Sequence, residues 1–438
     1  MRKYKEGIRF LISLFYWDVV MTESLKLKLL KNAGWLFSAE VISKLLSYGV
    51  IVILSRTLGP EGLGQYSFIF YYVGLLGIFS DLGVSYYFMR EVARDRSKAD
   101  ELLPDVLGLK IVLALVNFVV IAVLTLFLPK PRWIKALILL VGAEAVLTWV
   151  SYVFVNLMYT HEVTKYEAIA RTVERLWAFF VGGIVLYFYR SLSPFILALL
   201  IGYTIRELLR VKWGTKFVKK ISIRFNPQIW LSLLKKSYPF WLIGLFTMIY
   251  YRTDMVMLSL MRGDYEIGIY RAAYTLIEVS LFVPSIVVST MMPSIARLWE
   301  QDMKTLSALF KRSLQMLTVV GVLGLSVYFV FARLGIIIVF GEDFLASVPV
   351  LRILAFAVPF MFLNSLFGSF LNATGKELTF TKITGVTALL NVLLNYILIL
   401  NYGAEGAAIA TLCTQGPALI LSALSVKNTF KQESSQVF

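Results

Sequence analysis

The sequence holds one cysteine, Cys413, and one histidine, His161. A single thiol excludes an intrachain disulfide and leaves the redox compartment open. With one residue of each kind, a His/Cys metal site cannot be assembled, and no Ser-His-Asp or Cys-His catalytic arrangement is credible. The phosphate-loop pattern is also missing, so ATP hydrolysis by the chain is not expected. Acidic residues are scarce: 27 Asp and Glu stand against 43 Lys and Arg, a net charge of +16. A basic excess of this size fits either nucleic acid or anionic lipid. What is abundant decides between them. The chain is 58% hydrophobic over 438 residues, with a mean hydropathy of +0.76. Apolar stretches long enough to cross a bilayer recur along its whole length. The partner is therefore a lipid bilayer and not nucleic acid, with basic loops facing anionic headgroups.

Spanning the hydrocarbon takes roughly 20 helical residues. On that measure, spans fall near 34–57, 66–88, 107–128, 134–158, 167–188 and 193–211, then near 238–260, 269–292, 312–332, 347–371, 380–400 and 404–426. The expected fold is all-α and integral to the membrane, with about twelve transmembrane helices in two six-helix lobes. Lys and Arg are roughly fourfold more numerous in alternate connections, which places both termini in the cytoplasm. The expected organisation is an N-terminal segment 1–32, a first lobe 33–211, a basic linker 212–237, a second lobe 238–427 and a tail 428–438. Residues 8–17 are apolar but too short to span, and Met21 starts a conventional basic lead, so Met21 is the expected natural start.

The halves carry a weak repeat. Gly62-Leu63-Gly64-Gln65-Tyr66 precedes the second span, and Glu266-Ile267-Gly268-Ile269-Tyr270 precedes the eighth, at an offset of 204 residues. Six helices per half leave the two copies in the same orientation, a parallel repeat. Gly59, Gly62 and Gly64 suit a tight turn and close helix approach.

The segment Leu54-Ser55-Arg56-Thr57-Leu58-Gly59-Pro60-Glu61-Gly62-Leu63-Gly64-Gln65-Tyr66 resembles the turn after the first helix of polysaccharide flippases of the O-antigen and teichuronic-acid type. These belong to the multidrug/oligosaccharidyl-lipid/polysaccharide exporter superfamily. Asp81-Leu82-Gly83 followed by Arg90-Glu91-Val92-Ala93-Arg94 is similar to their second helix, and Tyr402-Gly403-Ala404-Glu405-Gly406-Ala407-Ala408-Ile409-Ala410 to the entry of their last. The resemblance implies two lobes around a cavity, alternating access, and transfer of a polyprenyl-diphosphate-linked oligosaccharide to the outer leaflet. It implies no enzymatic step, with polysaccharide-assembly proteins as candidate neighbours. The related lipid II flippases carry an Arg-Asp pair in the first helix. Aligned on Ser43-Lys44-Leu45-Leu46, that pair falls on Val50 and Ile51, which argues against a peptidoglycan precursor.

A charge near the bilayer centre costs about 2.5–3.5 kcal/mol on insertion scales, so it faces a partner or a wet cavity. Glu40 and Lys44 share one face of the first helix, as do Arg171, Glu174 and Arg175 in the fifth, a stripe of net positive charge. Arg252 and Asp254 point to opposite sides of the seventh helix, whereas Arg271 and Glu278 share a face of the eighth. Arginine offers a planar fork of donors to phosphate. The candidate substrate-binding residues are therefore Lys44, Arg171, Arg175, Arg252 and Arg271. Candidate sites for a coupling Na⁺ or H⁺ are Glu40, Asp81, Glu144, Asp254 and Glu278. No other cofactor is expected. Pairing between helices is the competing use of each of these charges. Pro284, Pro359 and Pro417 are candidate kinks, and Asn391 with Asn395 suits a hydrogen bond across a helix interface. A drug exporter of the same superfamily is the first rival, and intramembrane acids would dominate its cavity. A membrane polymerase or glycosyltransferase would need a large extramembrane domain, which the short loops do not supply.

Overall fold

A computed structural model describes the backbone of residues 23–434 and the side chains of residues 42–431. Met21, the 8–17 segment and the side chain of Glu40 lie outside the described residues. Thirteen α-helices are present among the described residues: α1 Glu23–Leu76, α2 Val84–Arg94, α3 Lys98–Leu126, α4 Arg132–Thr160, α5 Lys165–Tyr189, α6 Leu192–Gly214, α7 Pro227–Arg262, α8 Asp264–Ser280, α9 Phe282–Gln301, α10 Met303–Val330, α11 Ala332–Val339, α12 Ser347–Ala373 and α13 Glu377–Ser434. Helices α1 and α13 each fold back on themselves, at Gly59 and at Gly403. The second crossing runs on from α1 through a 3₁₀ turn at Gly77–Ser80 into α2. The eighth is α8 continued by α9. Counted this way, the described residues make twelve crossings, six before the 215–226 connection and six after it.

Eight helical segments are long and apolar enough to span a bilayer, and two of these contain a fold-back. The two remaining crossings, α5 and α7, are long enough but less apolar. They carry Arg171, Glu174 and Arg175, and Arg252 and Asp254, respectively. Large apolar side chains cover the outside of the bundle, among them Leu115 and Val119 on α3, Val322 and Leu323 on α10, and Leu389 and Leu393 on α13. A surface of this kind is stable only against hydrocarbon, and the chain is a multi-pass membrane protein.

The backbone repeats with the sequence. Gly59 turns the chain with φ 67° and ψ −171°, and Gly263, 204 residues later, does so with φ 97° and ψ −179°. Both sit in a region that favours glycine because any Cβ is strained there. The helix that follows breaks at Gly77 in the first half and at Leu281 in the second, again 204 apart.

The basic connection is shorter than the 212–237 expected. Helix α6 continues to Gly214, and α7 starts at Pro227, where the Asn226 side chain caps it by accepting from Gln228 N (3.1 Å) and Ile229 N (3.3 Å). Hydropathy hides this start, because the first turns of α7 lie outside the apolar stretch. The connection is strapped to α3: Lys219 N donates to Asp100 (2.8 Å), and Arg224 pairs with Asp105 (3.0 Å). The first turns of α7 pack on the first half too, with Ser237 Oγ donating to Leu82 O at 3.0 Å. At the other end, α13 runs through residues 428–434, which hydropathy assigns to a tail.

Candidate functional site

The halves meet at the end of the bundle that carries the Gly59 and Gly263 turns. There the two copies of the repeat face each other. A Cβ built on Gly64 would lie 1.7 Å from Asp264 O, and one on Gly268 would lie 1.8 Å from Pro60 O. Only glycine permits this approach, so the reciprocal contact explains why both copies keep it. Three polar ties surround it. Lys130 Nζ pairs with Asp264 (2.5 Å) and donates to Ser259 (3.0 Å). Arg56 Nε donates to Val339 O (3.0 Å), and Ala404 N donates to Glu266 (2.7 Å).

Deeper between the halves, aromatic side chains hold the arginines. Tyr71, from the second crossing, stacks with two guanidinium groups of the other half: Arg252 at 5.3 Å and Arg271 at 5.6 Å from its ring centre. Arg271 is ion-paired with Glu278 at 3.0 Å, the same-face pair expected from their spacing. Arg252 has no carboxylate within ion-pair distance among the described residues. Lys44 lies over the Phe282 ring at 3.7 Å, close to the break in the eighth crossing. The structure thus gathers Arg252 and Arg271 around Tyr71, and puts Lys44 on a separate aromatic contact.

The stripe on α5 is not left positive. Arg171 pairs with Glu167 (3.1 Å), and Arg175 with Glu174 (3.4 Å). From α6, Arg206 reaches Glu174 (3.0 Å) and Glu207 (2.6 Å), while Arg210 reaches Glu167 (2.5 Å) and Glu207 (2.9 Å). From α4, Thr148 donates to Glu144 (3.0 Å) and accepts from Arg206 (3.1 Å), and Ser151 donates to Glu207. Three acids, Glu167, Glu174 and Glu207, are ion-paired with the four arginines, and Glu144 joins the network through Thr148. Sequence reasoning missed Arg206, Glu207 and Arg210. The adjacent Arg-Glu within a predicted span is the available signal, and Arg210 stands at the end of the 193–211 span, beside the basic linker.

The other nominated acids differ in their surroundings. Asp81 is ion-paired with the buried Lys110 and accepts from Ser85. Asp254 is buried and has no cationic partner within ion-pair distance. It accepts from Met255 N (2.7 Å) and Tyr270 OH (2.8 Å), and that hydroxyl lies 3.1 Å from Thr411 Oγ1. One turn further along, Thr414 accepts from Asn391 (3.2 Å), which accepts in turn from Asn395 (2.8 Å). The expected asparagine bridge therefore joins the two limbs of α13.

A bundle of two like helical halves, with arginines held by aromatic rings between them and apolar faces outward, defines a membrane transporter of the flippase kind rather than an enzyme. The family described as "Polysaccharide biosynthesis protein" matches residues 29–299, well over half of the chain, and the chain belongs to that family, within the multidrug/oligosaccharidyl-lipid/polysaccharide exporter superfamily. The MatE family matches residues 239–397. The capsular polysaccharide biosynthesis protein CapF of Staphylococcus aureus is 21% identical over 403 residues, covering 90% of this chain and 98% of that one. The probable low-salt glycan biosynthesis flippase Agl15 of Haloferax volcanii is 26% identical over 191 residues, covering 42% and 40%. Among solved structures, the lipid II flippase MurJ in its inward closed conformation superposes with a TM-score of 0.75 at 17% identity, covering 90% of this chain and 87% of that one. An inward-facing multidrug resistance MATE transporter gives 0.70 at 14% identity, covering 89% and 96%. At such identities the likeness is one of fold.

Proposed function

We propose that the protein carries a polyprenyl-diphosphate-linked oligosaccharide from the cytoplasmic to the outer leaflet of the cell membrane by alternating access. The observation that carries this reading is Arg252, a guanidinium held between the halves by Tyr71 with no acid within ion-pair distance among the described residues. A diphosphate supplies the missing negative charge, and a planar donor fork is matched to it. Arg271, on the same tyrosine, adds positive charge that Glu278 shares. Lys44, at Phe282, lies where an approaching headgroup would first meet the second half. The names of CapF and Agl15 support the glycan part of the reading. With the basic connections in the cytoplasm, both termini are cytoplasmic and the Gly64–Gly268 contact closes the outer end. Rocking of the lobes then opens this contact and releases the substrate outward.

The test is movement of a labelled lipid-diphosphate-oligosaccharide in proteoliposomes, scored by protection from added glycosidase. Arg252→Gln is expected to cut translocation by at least ~10-fold, the effect of about 1.4 kcal/mol, while the protein stays monodisperse. Unchanged movement in this variant, or efflux of small cations in place of lipid, would sink the reading.

Directional bias comes from an ion gradient acting at Asp254. A buried carboxylate whose hydrogen bonds, among the described residues, come from a backbone N–H and the Tyr270 hydroxyl is set to take up H⁺ or Na⁺, whereas Asp81 and Glu278 already have cationic partners. Asp254→Asn is expected to bind the lipid as the wild type does and to lose its response to an imposed gradient. Full gradient response in that variant would move coupling to Glu144, the other nominated acid without a direct ion pair.

A further inference from the structure

The second half contains a hollow of about 350 Å³, within the ~300–1,000 Å³ range of small-molecule sites. It lies among α7, α8, α12 and the two limbs of α13. Among the described residues, no Asp, Glu, Lys, Arg or His lines it. The first half fills its interior with an ion-pair network, whereas this wall sets hydroxyl, amide and tyrosine side chains among apolar ones such as Met361, Phe380 and Ile383.

The polar groups of the wall are under-used. Elsewhere in the bundle, intramembrane hydroxyls bond back to their own helix, as Ser67 and Thr204 do to the carbonyl four residues earlier, and on the wall Thr247, Thr384 and Thr387 do the same. Ser365, Ser369 and Asn372 on α12 make no side-chain hydrogen bond among the described residues, although they follow one another at helical spacing along the wall. Asn364 gives its nitrogen to Gln415 Oε1 (2.7 Å) and to Gln415 O (3.1 Å). Its own carbonyl oxygen is buried and unpartnered, and the Gln415 amide nitrogen has no protein acceptor. Unmet donors and acceptors inside a bilayer are costly unless something polar occupies the space. Tyr250, Tyr251 and Tyr274 close the side nearest the first half with ring faces and hydroxyls.

From this we infer that the cavity is a saccharide subsite, taking uncharged sugar rings of the lipid-linked glycan while the diphosphate rests at Arg252. Unpartnered hydroxyls and amides beside aromatic faces match sugar hydroxyls and ring faces. The lack of charge disfavours the diphosphate, and the unpartnered hydroxyls and amides would go unmet against a lipid tail. This rests on the function proposed above and adds a division of labour: Arg252 reads the charge common to all such lipids, and α12 with Gln415 reads the sugar.

The test compares two probes on the full chain in nanodiscs: a polyprenyl diphosphate, and the same lipid carrying a short neutral N-acetylhexosamine oligosaccharide. The wild type is expected to bind the glycosylated probe about tenfold more tightly, about 1.4 kcal/mol. Ser365→Ala with Ser369→Ala should abolish that gain and leave the bare diphosphate unchanged. Asn372→Ala, at an exposed position that leaves packing intact, should reduce it independently. Arg252→Gln should weaken both probes alike. Equal wild-type affinity for the two probes, or a gain that survives the α12 changes, would overturn the subsite and leave the flippase reading standing. Failure of the wild type to bind either probe would overturn both.

Discussion

Gly64→Leu is expected to stop translocation almost completely while both halves stay folded. The reason is distance. A Cβ at residue 64 would lie 1.7 Å from Asp264 O, and that atom is backbone, so it cannot swing aside. Gly268 meets Pro60 O at 1.8 Å in the same way. Relief requires separating the start of the second crossing from the start of the eighth, and with it the Lys130–Asp264 pair. Helices without water between them associate through close backbone approach, and small residues are what allow it. The variant should therefore fail to close at this end. Transport is expected to fall by more than ~10-fold, again the effect of about 1.4 kcal/mol or more. Spin labels placed across the contact should report a longer separation than in the wild type. Gly268→Leu should reproduce both effects, because the contact is reciprocal. Normal transport in either variant would mean that the contact never opens or closes during the cycle.

The two halves and their repeat were legible in the sequence because they rest on local signals. Apolar length reports a span, and a glycine motif recurring at a fixed offset reports a repeated turn. What the motif does was only half legible. The turn at Gly59 follows from the residues around it, but the packing of Gly64 on Asp264 joins segments far apart in the chain, and no local signal encodes it. The charges show the same limit. Arg171, Glu174 and Arg175 read as a positive stripe only while Glu167, one turn earlier on the same helix, is left out of it. Arg206, Glu207 and Arg210, which enter from α6, carry no signal on α5. Arg252 and Asp254 were correctly placed on opposite sides of α7, since helical spacing alone decides that. The uncharged cavity was invisible, because serines and asparagines in apolar spans usually bond within the helix, and only the folded wall shows which of them do not.

Arg206→Ala is expected to be the most destabilising single change in the first half. Arg206 is the only group that ties Glu174 of α5 to Glu207 of α6, at 3.0 and 2.6 Å, and it also donates to Thr148 of α4. Its removal keeps Arg175 at 3.4 Å from Glu174 and Arg210 at 2.9 Å from Glu207, but leaves each of these buried acids one cation short. Removing one partner of a buried pair costs about 3–5 kcal/mol where the charge is left unpaired, and the remaining arginines hold the cost toward the lower end of that range. A large drop in the detergent melting temperature should follow. The cause can be separated from lost packing. Combining Arg206→Gln with Glu207→Gln restores the net charge of the network and keeps the side-chain volume, so most of the lost stability should return. If the double variant melts as low as Arg206→Ala, the network holds these helices by shape rather than by charge. If Arg206→Ala melts like the wild type, the arginine is held in reserve for an anionic substrate, and the basic surface between the halves extends into the first half.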